Sequence, residues 1–162
     1  MRESTESINA LSLDTQDPLP QSELQTQFDV ITAEMFRAIN SKEIRPSYLS
    51  LINGFINSSF FQHENNADVL RLLLNSREYF ENIFAQYEKY KYVEFSMFDA
   101  DINNRNYYNS KRIIECFDNA IFGYLESDLA NDKETRFNIF YHANLFKNHL
   151  YRVSKLSTIK VL

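Results

Sequence analysis

Glycine, proline, cysteine and tryptophan are all scarce in this chain of 162 residues: two Gly, three Pro, one Cys and no Trp. Few glycines leave little material for the tight hairpins of an all-β fold, and no stretch alternates apolar and polar residues as a half-buried strand does. One cysteine, Cys116, excludes an internal disulfide. It sits in an apolar helical pattern with Ile113, Ile114 and Phe117, which predicts a buried, inert thiol. No apolar run reaches the ~20 residues of a membrane helix. The first 15 residues are polar and acidic and lack the apolar centre of a secretory signal, so a reducing, cytoplasmic setting is expected.

Aromatic and charged residues are what the chain has in quantity. It carries 14 Phe and 10 Tyr, is 44% hydrophobic, and has a net charge of −5. A single domain of this size hides roughly 70% of the surface its unfolded chain exposes, enough for a core without metal or disulfide. The charge is polarised along the chain. Residues 1–30 hold one base and six acids, and residues 133–162 hold six bases and one acid. Such polarity marks either an anion-binding end or two ends that attract each other.

Helical periodicity dominates. Residues 1–20, closed by "DPLP", read as an extended acidic tail. Residues 21–156 read as a helical domain and 157–162 as a C-terminal tail. Ser22-x-x-Gln25 has the form of a capping box, followed by the stripe Leu24, Phe28, Ile31, Met35 and Ala38. A second helix is expected to start at Pro46, with Leu49, Ile52, Ile56 and Phe60 as its apolar face. A third is predicted from Ala67 to about Met97 through Val69, Leu73, Phe80, Ile83, Tyr87 and Tyr90; Asn75-x-x-Glu78 marks the place where it could kink. "DADINNRN" is the turn after it. Two more helices are expected at about 107–129 and 132–155, the latter capped by Asn131. The fold class is therefore all-α: an antiparallel bundle of about five helices, three of them long, with an extended N-terminal tail.

Candidate chemistry is thin. Asp99, Asp101 and Asn103 begin like a calcium loop, but Asn104 replaces the turn glycine and Ser110 the bidentate glutamate. His142 and His149 are about 10 Å apart along one helix, too far to share a zinc, and His63 lies in another segment. No metal, no cofactor and no catalytic set is expected from these patterns.

The stretch "RFNIFYHANLFKNH", residues 136–149, holds the most. Ile139, Ala143, Phe146, Leu150 and Val153 make its core face, which puts His142 and His149 at the edge of that face as partly covered histidines. Its Arg136 and His142 resemble the R-x(4–6)-H motif of HEPN-domain ribonucleases, small α-helical bundles that commonly act as dimers. The resemblance covers seven residues, with Phe137 where that family usually has a polar side chain. It implies metal-independent RNA cleavage, with Arg136 stabilising phosphate charge and His142 moving a proton. Lys147, Arg152, Lys155 and Lys160 form a basic set suited to a phosphate backbone or another anion. Phe137, Phe140, Tyr141 and Tyr151 point away from the core stripe, so this helix is apolar nearly all round. A small bundle has little room for such a helix at its centre, and Tyr and Phe are interface residues. The sequence thus leads to a non-enzymatic protein-binding module, regulatory or subunit-like, that meets another protein or a second copy of itself through those four rings. Nucleic acid is the lesser partner, and no membrane partner is expected.

Overall fold

The computed structural model describes residues 20–62, 66–102, 109–127 and 132–161. His63, Asn103, Asn104 and Asn131, and all but the last residue of the acidic tail, lie outside them. Among the described residues there are six α-helices and no strand: α1 Gln21–Ala38, α2 Ser41–Ile56, α3 Asn66–Tyr90, α4 Ser96–Asp101, α5 Ser110–Glu126 and α6 Lys133–Val161. A short 3-10 turn, Ser59–Gln62, follows α2. The all-α class expected from periodicity is what forms, and among the described residues no helix is long and apolar enough to cross a membrane.

Side-chain pairs give the directions. Ser41 reaches Glu88, Arg45 reaches Glu81 and Tyr48 reaches Ser76, so α2 and α3 run antiparallel. Asp118 with Lys147, and Leu125 with Arg136, set α5 antiparallel to α6. On the other side Glu34 pairs with Arg152, while Gln27 and Leu156 line one cavity, so α1 is antiparallel to α6 as well. Arg112 and Asp68, near the starts of α5 and α3, pair at 2.5 Å and bring those two starts together.

An aromatic cluster lies within the core. Phe146 of α6 stacks on Tyr48 of α2 at 4.7 Å between ring centroids and lies 4.8 Å from Phe80 of α3. Tyr79, Phe28, Phe95 and Phe98 extend the cluster. Ring pairs at such separations add roughly 0.5–1.5 kcal/mol each beyond the area they bury. Cys116 is buried as expected, and burial pushes its thiol up to about 11.

Local readings needed correction at five places. Ser22 and Gln25 form no capping box, because α1 starts at Gln21 behind Pro20 with no side-chain cap. Gln25 instead donates to the Val93 carbonyl and accepts from the Phe95 amide, tying α1 to the segment after α3. The second helix begins five residues before Pro46, at a true capping box of Asn40 and Glu43. Its buried face is Ile44, Tyr48, Leu51 and Phe55, which leaves Leu49 and Ile56 exposed. The third helix is continuous through 75, but it stops at Tyr90. Lys91 takes a left-handed φ of 55°, its amide bonds the Tyr87 carbonyl, and Val93 and Phe95 then turn into the core. Tyr87 and Tyr90, assigned to the buried stripe, are exposed, with Phe36 of α1 stacked on one side of the Tyr87 ring. Finally, α6 is capped by Asp132 and runs on to Val161, so the residues read as a C-terminal tail are helical through 161.

Candidate functional site

Helix α6 positions nearly every residue that the sequence singled out. Asp132 starts it by accepting from the Glu134 and Thr135 amides and from the Thr135 hydroxyl, bonds that hold its carboxyl below the ordinary range. Ile139, Ala143, Phe146, Leu150 and Val153 are buried, as the wheel predicts. The opposite face carries the aromatic group. Phe137 is 65% exposed, Phe140 42% and Tyr141 43%. Phe137 and Tyr141, one turn apart, lie nearly parallel, with 7° between ring planes and 6.3 Å between centroids. A flat platform of two rings flanked by Phe140 thus stands in solvent. Tyr151 belongs elsewhere: it is half-buried farther along α6, beside α1, with the Lys155 ammonium 5.2 Å above its ring.

The two residues of the ribonuclease-like motif serve separate contacts. Arg136 donates to the Leu125 carbonyl at 2.5 Å and to the Ser127 carbonyl at 3.5 Å, closing the C-terminus of α5 where exposed carbonyls favour a cation. His142 is buried against α2. Its Nδ1 shares a 2.7 Å hydrogen bond with the Ser47 hydroxyl, and Glu43 stands 4.0 Å from Nε2. Burial lowers its pKa and Glu43 raises it, with burial the larger influence. Replacement of Arg136 by alanine is expected to lower stability by about 2 kcal/mol, the usual worth of a hydrogen bond from a charged donor, read as a lower urea midpoint.

His149 is not at the boundary. It is 2% exposed, bonded through Nε2 to the Tyr79 hydroxyl at 2.8 Å, and its Nδ1 has no partner among the described residues. It fell inside because Phe28 of α1 and Phe80 of α3 both pack on its ring, covering a position that one helix viewed alone leaves at the edge.

The basic set divides as well. Lys147 is paired with Asp118 at 2.9 Å and Arg152 with Glu34, whose carboxyl is lowered by that bond. Lys155 stays exposed, and the Lys160 side chain lies outside what is described. Among the described residues no three metal-ligating side chains converge.

Sequence reasoning missed the groove between α1 and α6. It holds two adjoining cavities of about 390 and 370 Å³ that share Ile31, Tyr151 and Arg152. Val30, outside the α1 stripe and 55% exposed, was the available signal. Compared with protein-family models, with curated proteins and with solved structures, the chain has no match.

Proposed function

We propose that this protein is a non-enzymatic helical binding module that associates through the aromatic face of α6, with a second copy of the chain as its first partner. The observation that carries the reading is the platform of Phe137, Phe140 and Tyr141, three large rings held in solvent on one rigid helix. The core already shelters Tyr48, Tyr79, Tyr124 and seven phenylalanines almost completely, so these three rings are surplus to what folding buries. Rigid aromatics give large contact area at low entropic cost and supply much of the energy of protein interfaces. Arg136 and His142 are both engaged inside the subunit, which supports a binding role for this helix over a catalytic one.

Light scattering at micromolar concentration should report a species larger than the 19.2 kDa chain. The double variant Phe137→Ala/Tyr141→Ala should weaken association by about 30-fold or more, as loss of an interface hot spot of ~2 kcal/mol does. Its helicity should stay as in the parent protein, and its urea midpoint should match the parent's at dilutions where both are monomeric, because neither ring contributes to the core. A variant that associates as the parent does would refute the assignment of this face.

A further inference from the structure

We propose that the groove between α1 and α6 is the docking place of the chain's own N-terminal segment, with Leu11 and Leu13 on its apolar floor and Asp14 and Asp17 at its cationic rim. The inference is independent of the α6 platform, which lies on other residues. Three observations carry it. The larger cavity has an apolar floor of Val30, Ile31 and Leu156, and its rim holds Arg152 and Lys155. Lys155 has no carboxylate among its described contacts; it rests over Tyr151.

The antiparallel pairing of α1 with α6 supplies the second. It brings the point where residues 1–19 enter α1 beside the C-terminal part of α6, so the acidic end of the sequence is delivered to the basic end. Residues 1–19 hold one base and four acids, and the last 30 residues hold six bases and one acid. Arg152 and Glu34 already pair across this seam.

Reach is the third. Val30 lies ten residues along α1 from Pro20, about 15 Å at 1.5 Å per residue. The seven residues from Pro20 back to Leu13 span up to about 25 Å when extended. Leu13 therefore reaches Val30 with chain to spare, and Asp14 and Asp17 fall on the way, level with the groove's rim. Docked, the segment covers Val30 and Tyr151 and leaves Phe137, Phe140 and Tyr141 open.

A nitroxide on Ser12→Cys of the full-length protein tests this; Cys116 is buried and remains unlabelled. At low salt, the amide signals of Gln27 to Ile31 and of Lys155 and Leu156 should lose most of their intensity. The loss should disappear in Asp14→Lys/Asp17→Lys and return in part when Lys155→Glu is added. Circular dichroism of each variant should match the parent. Loss confined to the first turn of α1, or unchanged by charge reversal, would overturn the proposal. So would loss seen only when labelled chains are mixed with separate isotope-enriched chains, since the segment would then dock on a second copy.

Discussion

Gly54→Ala is expected to destabilise the protein by about 2 kcal/mol, although alanine is the better helix former. Helix propensity alone favours the change by about 1 kcal/mol. Geometry opposes it. A Cβ built on Gly54 stands 2.7 Å from the Tyr124 Cα and 2.7 Å from its Cδ2. The first of these is backbone, so relief requires α2 and α5 to separate rather than one side chain to swing. Overpacking of this kind costs about 1–3 kcal/mol, and more where the obstacle cannot rotate. The only other glycine, Gly123, sits at the same crossing: its Cβ would meet the Ser58 hydroxyl at 2.7 Å and Phe55 Cα at 3.1 Å. Both glycines of the chain thus serve one close helix contact. A urea midpoint lowered in Gly54→Ala, and lowered less in Gly123→Ala where a hydroxyl can rotate aside, is the expected result. A raised midpoint for Gly54→Ala would show that the two helices part without cost.

The second large effect is acid sensitivity through His149. Burial, aided by the positive charge of Arg152, lowers its pKa from 6.5 to about 3. In the unfolded chain the imidazole binds a proton below pH 6.5; in the folded protein it stays neutral until pH 3. Between those values unfolding takes up a proton, so stability falls as pH falls. The loss is about 2 kcal/mol from pH 6.5 to pH 5, and about 4 kcal/mol by pH 3. His142, also lowered by burial, acts in the same direction. Glu34 and Asp132 have lowered carboxyl pKa values and lose their contribution only at more acidic pH, below their ordinary values of 4.5 and 3.8. The window from pH 6.5 to 5 therefore isolates the histidines. His149→Gln, which keeps a hydrogen-bonding side chain near Tyr79, should flatten the dependence of unfolding free energy on pH in that window. An unchanged slope would mean that His149 is protonated in the folded protein.

The helical class and the core face of α6 were legible because 3.6-residue periodicity depends on each helix alone. Ile139, Ala143, Phe146, Leu150 and Val153 were read in that way, and all five are buried. The turn read at 99–106 was not legible, since Asp99 to Asp101 close the short helix α4. Errors arose where a second helix decided the outcome. In α2 two apolar faces compete, and the face with Ser47, Tyr48, Leu51 and Gly54 is buried because only it lets α5 approach closely. At the end of α3 the apolar rhythm continues through Tyr87 and Tyr90, but the tertiary position of Val93 and Phe95 requires the helix to stop first. The exposed rings of α6 could be named from one helix; the α1/α6 groove could not, since its walls come from residues about 120 positions apart.

Hydroxyl-radical footprinting over a dilution series bears most directly on the proposed interface. Phe137, Phe140 and Tyr141 should become protected together as concentration rises, while Tyr90 and Tyr92, exposed at the end of α3 and in the segment after it, keep their rates. Equal modification of the α6 rings at every concentration, with Tyr90 and Tyr92 tracking them, would contradict it.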